Sequence, residues 1–151
     1  MANSRYILGI DGGASYSRGI IFTDDGVTVS SVLGNGLNLS LYGSIASVRI
    51  HDMITELLIK AKISSDDIFS IGIGLAAASD KDGRDLVFKQ LDILGISNKA
   101  LIMNDAEAAY AINCPAQSGV LVTVGTGVIC FGIDKNGVCI TIDYMVALFF
   151  N

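Results

Sequence analysis

The sequence predicts an α/β protein built on a layered sheet, and three observations carry that prediction. Three short apolar runs separated by turn signals come first. The hydrophobic period then changes to the 3.6-residue repeat of a helix. From there, strand-like and helix-like runs alternate. A meander followed by such alternation makes a sheet layered with helices, not a barrel. The predicted order is βββαβαβα, followed by the opening strands of another unit.

Tyr6 to Asp11 is an apolar run ended by Gly12-Gly13 and reads as a buried strand. Ser17 to Thr23 and Val27 to Leu33 are the next two strands, joined by the Asp24-Asp25-Gly26 turn signal, and Gly34-Asn35-Gly36 closes the meander. Ile50, Met53, Ile54, Leu57, Leu58 and Ala61 repeat at i, i+3, i+4, i+7, i+8 and i+11, one apolar face of a helix that begins near Ser40. Phe69 to Leu75 is the fourth strand. Asp80 to Leu94 is a helix with Val87, Leu91 and Leu94 on one side. Ala100 to Met103 is the fifth strand, and Asn104 to Ile112 the third helix, with Asn104 and Glu107 spaced as a capping box. The only proline, Pro115, ends that helix, so the segment from Cys114 to Gly119 is the boundary candidate. This gives one lobe over residues 1–116 and the start of a second over 117–151. In the second, Val120 to Val124, Val128 to Asp134 and Val138 to Asp143 are strands, with Lys135-Asn136-Gly137 as a hairpin turn.

Composition narrows the function classes. Hydrophobic residues make up 51% of the 151 positions and charged residues 17%, enough for a packed core. The net charge of −5 argues against a nucleic-acid surface. A phosphate ligand is therefore held by backbone N–H groups and a metal ion. Cys114, Cys130 and Cys139 have no C-x-x-C spacing and read as reduced core thiols of a cytoplasmic protein, and the lone His51 leaves no zinc or iron–sulfur cluster. The start of the chain has no signal-peptide pattern, and no apolar run has membrane-spanning length, so no membrane partner is expected.

Four short segments carry chemistry. In Asp11-Gly12-Gly13-Ala14-Ser15-Tyr16-Ser17 an acidic residue ends a strand and two glycines open the turn. The glycines allow φ > 0 and a close approach of backbone to phosphate. Ser15 and Ser17 offer hydroxyls, and Asp11 can hold Mg²⁺ through water. The same residues also make an ordinary β-turn. Val124-Gly125-Thr126-Gly127 repeats the arrangement at the start of the second unit, as a second phosphate turn or a plain tight hairpin. Asp105 lies where a buried strand meets a helix, the edge at which open α/β sheets place ligands. There it can deprotonate an attacking hydroxyl, or simply cap the helix. Gly36-Leu37-Asn38 places a polar side chain beside glycines, as a sugar-binding loop or a helix entry.

In this order and spacing the four segments resemble the N-terminal part of the BadF/BadG/BcrA/BcrD-type ATPase family, in the branch that includes N-acetylglucosamine kinase. Asp11-Gly12-Gly13-Ala14-Ser15 is similar to its first phosphate motif, Gly36-Leu37-Asn38 to its sugar loop, Asn104-Asp105-Ala106 to its catalytic motif, and Gly125-Thr126-Gly127 to its second phosphate motif. The similarity spans roughly residues 5 to 137. It implies an RNase H-like (actin-like ATPase) fold in each of two lobes, with ATP between them. It also implies Asp105 as base, Asn38 on the sugar, Asp11 on the Mg²⁺–phosphate group, and Gly12, Gly13, Ser15, Ser17, Gly125, Thr126 and Gly127 on phosphates.

The sequence departs from the family's pattern at two places. Val128 stands where the family has a serine hydroxyl, and residues 141–151 do not continue into the family's later motifs. The resemblance thus implies a partial chain, inactive alone, whose exposed C-terminal edge near Val146 to Phe150 favours self-association. Two other functions stay open. One is the activator ATPase of a 2-hydroxyacyl-CoA dehydratase, whose Cys-Ala-Ala-Gly-Thr-Gly-like segment is replaced here by Thr123-Val124 before Gly125. The other is a non-catalytic remnant.

Overall fold

The computed structural model of the chain describes residues 5–114, 118–124 and 128–144. Contacts divide it into two compact units, one running to Asp105 and the other starting at Ala106.

The first unit follows the expected order. Strands β1 (Tyr6–Gly12), β2 (Tyr16–Thr23) and β3 (Thr28–Asn35) form the meander. A single-turn helix α1 (Leu39–Tyr42) and the long helix α2 (Ser44–Ala61) lead to β4 (Ile68–Leu75). Helix α3 (Lys81–Ile93), β5 (Ala100–Asn104) and the start of α4 (Asp105–Asn113) complete it. The five-stranded sheet has the order β3-β2-β1-β4-β5, with β1 antiparallel to β2 and parallel to β4, and β4 parallel to β5. The helix expected from about Ser40 is broken in two at Gly43, whose φ of 49° and ψ of −123° no regular helix allows. Gly43 thereby caps α1 and lets α2 start in a new direction.

Register explains where the core sits. Leu8 pairs with Ile21 on one side and Ile71 on the other, and Ile10 pairs with Ile73, which pairs with Ile102. These inward rows are buried beneath Ile50, Met53, Ile54, Leu57 and Leu58 of α2 and Val87 and Leu91 of α3. Each such side chain contributes roughly 1.5–3 kcal/mol by leaving water. The opposite face of the sheet carries the exposed Asp11, Tyr16, Arg18, Leu33 and Leu101.

In the second unit β6 (Gly119–Val124), β7 (Val128–Ile133) and β8 (Cys139–Tyr144) form an antiparallel sheet. Gly137 (φ 80°) turns the β7–β8 hairpin, and the Asp134 carboxylate accepts from the N–H groups of Asn136 and Val138, each at 2.8 Å. Tyr110 of α4 meets Phe131 of β7 edge to face, centroids 5.2 Å apart, and Ala106 joins them in a small core. The apolar side of α4 thus packs with the second sheet. The packing division consequently falls at residue 105/106, one helix before the proline segment at which the sequence divides the chain. The three cysteines are unbridged: Cys114 is half-buried against the small core of the second unit and Cys130 is half-buried, whereas Cys139, expected in the core, is exposed because it follows the hairpin turn at the start of β8. Among the described residues no helix is long and apolar enough to cross a membrane.

Candidate functional site

The last pairs of the parallel strands line up as Gly12–Leu75–Asn104. Asp11 therefore stands one residue before this row and Asp105 one residue after it, at the carboxyl ends of β1 and β5. The two strands are two sheet spacings apart, roughly 10 Å. Loops leaving this edge are stitched to one another through backbone hydrogen bonds. The Ala76 N–H donates to the Gly12 carbonyl at 2.9 Å, the Leu37 N–H to the Gly13 carbonyl at 2.9 Å, and the Leu39 N–H to the Ala76 carbonyl at 3.1 Å. The β1–β2 turn, the Asn38 loop and the loop after β4 are thus stitched together.

The glycines act through close packing. Neither Gly12 nor Gly13 uses the positive φ that glycine allows. A Cβ on Gly12 would lie 2.5 Å from Leu75 Cδ2 and 2.8 Å from Leu37 Cβ, and one on Gly36 only 2.0 Å from the Ala14 oxygen. The Gly36 backbone is pressed against the Gly12–Ser17 turn, and only hydrogen fits between them.

Within the turn, the Gly13 N–H closes the hairpin on the Tyr16 carbonyl at 3.0 Å. The backbone N–H groups of Ala14 and Ser15 donate no hydrogen bond among the described residues, and both residues are exposed. These two donors stand at a turn that follows directly on the strand-end carboxylate of Asp11. Ser15 is the exposed hydroxyl, whereas Ser17 is 4% exposed and its Oγ donates to the Asn35 carbonyl at 2.7 Å, tying β2 to β3. Arg18 lies directly across β1–β2 from Asp11 on the open face, a cation in an otherwise acidic chain.

Asn38 is the N-cap of α1, its Oδ1 accepting from the Leu41 N–H at 3.0 Å. The cap leaves the amide N–H donors for other use. Asp105 is half-buried where β5 becomes α4. Gly125, Thr126 and Gly127 lie outside the described residues, as do Val146 to Phe150.

Sequence reasoning did not single out Tyr42 and Arg49. The Tyr42 hydroxyl donates to the Ala14 carbonyl at 3.0 Å. Arg49 donates from Nη1 to the Gly36 carbonyl at 2.7 Å, and its guanidinium carbon lies 4.6 Å from the centre of the Tyr42 ring. Nothing in the local pattern marks Tyr42. Arg49, beside the apolar stripe of α2, reads as a solvated cation until the Gly36 carbonyl is placed under it.

These residues suit a hydrated Mg²⁺ riding on phosphate. Among the described residues no three His, Cys, Asp or Glu side chains converge. Asp11 would hold such a metal through water, and the ion would supply charge neutralisation to the phosphates.

Comparison with known proteins identifies the family. The profile of the BadF/BadG/BcrA/BcrD ATPase family matches residues 8–142. An N-acetylmuramic acid/N-acetylglucosamine kinase from Clostridium acetobutylicum is 32% identical over 134 residues, covering 88% of this chain and 44% of that kinase. The chain thus spans less than half the length of this relative. Among solved structures, a candidate N-acetylglucosamine kinase from Chromobacterium violaceum superimposes with a TM-score of 0.71 at 17% identity, over 92% of this chain and 48% of that one. An activator of 2-hydroxyisocaproyl-CoA dehydratase from Clostridium difficile, solved with ADPNP, gives a TM-score of 0.51 at 15% identity, over 91% of this chain and 46% of that one. These structural likenesses show the fold, an actin-like ATPase fold of the kind N-acetylglucosamine kinases have.

Proposed function

The chain belongs to the BadF/BadG/BcrA/BcrD ATPase family, and from that premise we propose that it is the phosphate- and acceptor-gripping part of an ATP-dependent kinase for an amino sugar. The observation that carries this reading is the alignment of Asp11, the unspent Ala14 and Ser15 donors, the Asn38 loop and Asp105 along one sheet edge.

Each residue has a role in it. The Ala14 and Ser15 N–H groups and the Ser15 hydroxyl receive phosphate oxygens, with Gly12 and Gly13 keeping the backbone close enough to do so. Ser17 holds the strand from which that turn springs. Bound Mg²⁺ supplies charge neutralisation of the phosphates, and Asp11 orients its water shell. Asn38 donates from its amide to a sugar hydroxyl. Asp105 accepts the proton of the attacking hydroxyl, a general-base contribution of about 10²- to 10⁴-fold. Gly125, Thr126 and Gly127 are assigned to phosphate as well, on the family resemblance alone.

Such transfer depends on positioning within a cleft walled on both sides. The chain spans 44% of its kinase relative, so we expect phosphate and nucleotide binding from this chain by itself, and turnover only with the remaining family length present. Val120, Val122, Ile140 and Ile142 leave an apolar face of the second sheet exposed, which favours self-association of the isolated chain. Light scattering reads this directly.

The test is coupled ADP release with N-acetylglucosamine, glucosamine and N-acetylmuramic acid as acceptors. ADP release that requires an acceptor and Asp105 supports the kinase. ADP release indifferent to acceptor would favour the activator-type ATPase instead.

A further inference from the structure

Resting on the phosphate-gripping reading above, we propose that Tyr42 is a positioning residue that aims and polarises the Ser15 N–H of the phosphate turn. The argument starts from the peptide unit. In a planar trans peptide the C=O of one residue and the N–H of the next point in opposite directions, and the described backbone has no cis bond. Whatever grips the Ala14 carbonyl therefore also sets the direction of the Ser15 N–H. That grip is the Tyr42 hydroxyl, 3.0 Å from the Ala14 oxygen. The Ser15 N–H is aimed away from Tyr42, off the tip of the turn, and has no protein acceptor among the described residues. A hydrogen bond donated to a peptide oxygen also strengthens the N–H of the same peptide as a donor, because the two bonds polarise one another.

Tyr42 is itself held in place. Its ring packs against the Arg49 guanidinium, which is anchored on the Gly36 carbonyl. Gly36 in turn is pressed against Ala14. Ala14, Tyr42, Arg49 and Gly36 close a ring that joins the phosphate turn to the sugar loop. The neighbouring peptide supplies an internal control. The Gly13 carbonyl is gripped by the Leu37 N–H, not by Tyr42, and that bond sets the direction of the Ala14 N–H.

The experiment is a titration of the ¹⁵N-labelled chain with inorganic pyrophosphate and Mg²⁺, followed by amide resonances, for wild type and Tyr42→Phe. In wild type, the Ala14 and Ser15 amides are expected to move downfield together. In Tyr42→Phe the Ser15 response should be lost and affinity should fall about 3- to 10-fold, the effect of one hydrogen bond, while Ala14 still responds and melting is little changed. Equal responses of both amides in Tyr42→Phe, at wild-type affinity, overturn the proposal. Should Tyr42→Phe melt early, Arg49→Gln replaces it, since it unstacks the ring and keeps the hydroxyl. A weakened Ser15 response is then expected, and a wild-type response again contradicts. If neither amide of the wild-type chain responds, the phosphate reading itself falls, and the proposal with it.

Discussion

Asp11 and Asp105 stand at the same end of one parallel arrangement: Asp11 pairs with Gly74, Gly74 with Met103, and Asp105 follows two residues later. Sequence separation of the two carboxylates is large, yet two strand spacings bring them to a single edge. Substituting Asp105→Asn in a protein of full family length is expected to lower acceptor-dependent turnover by about 10²- to 10⁴-fold. Nucleotide affinity should stay near wild type, because the base acts on the acceptor hydroxyl. Unchanged turnover per folded molecule together with lowered stability would show that Asp105 serves only the helix start.

Close packing at the turn predicts a contrast between two glycines. Gly36→Ala drives a Cβ to 2.0 Å from the Ala14 oxygen, whereas a Cβ on Gly72 meets nothing within 4 Å. Urea denaturation should show Gly36→Ala losing about 1–3 kcal/mol by overpacking. Gly72→Ala should be neutral or slightly stabilising, since alanine loses less backbone freedom on folding. Equal effects at the two sites would contradict the pressed loop–turn contact.

The end of α2 offers a stabilising change. Lys62 has φ 56° and ψ 40°, and its N–H reaches the Ile59 and Leu58 carbonyls, a left-handed cap built on a non-glycine residue. Lys62→Gly should raise stability by about 1 kcal/mol, because it relieves the left-handed penalty of an L-side chain. Thermal melting checks this, and a lower melting point contradicts it.

Much of the first unit was legible in the residues because period and punctuation agree there. The apolar repeat from Ile50 to Ala61 fixes the α2 face, and Gly12-Gly13 and Gly34-Asn35-Gly36 mark strand ends that the register confirms. The break at Gly43 was not legible, since an isolated glycine inside a helical pattern is often tolerated. Nor was the Tyr42–Ala14 bond, which joins residues 28 apart and depends on where α1 lands. The packing of α4 with the second sheet rests on Tyr110 meeting Phe131, a pairing that no local pattern announces.

Two carboxylates give stability a pH dependence with a definite sign. The backbone N–H and hydroxyl of Ser64, both 2.8 Å from Asp67 Oδ2, hold the Asp67 carboxyl below its ordinary value. The Val138 and Asn136 N–H groups do the same for Asp134. A carboxyl depressed in the folded state adds stability that is complete above its unfolded pKa, about 4, and is lost as pH falls through the folded value. Stability should therefore decline below about pH 4. Asp67→Asn should flatten that acid limb while changing the melting point at pH 7 in the destabilising direction. An acid limb identical in Asp67→Asn and wild type would contradict this.

The most direct test of the central claim, that this sheet edge grips Mg²⁺-bound nucleotide phosphates, is calorimetry of ATP binding with and without Mg²⁺ for the chain and for Asp11→Asn. The account predicts binding strengthened by Mg²⁺ in wild type, and loss of that strengthening in Asp11→Asn with the fold intact. Absence of ATP binding by wild type, or the same Mg²⁺ dependence in both proteins, would contradict it.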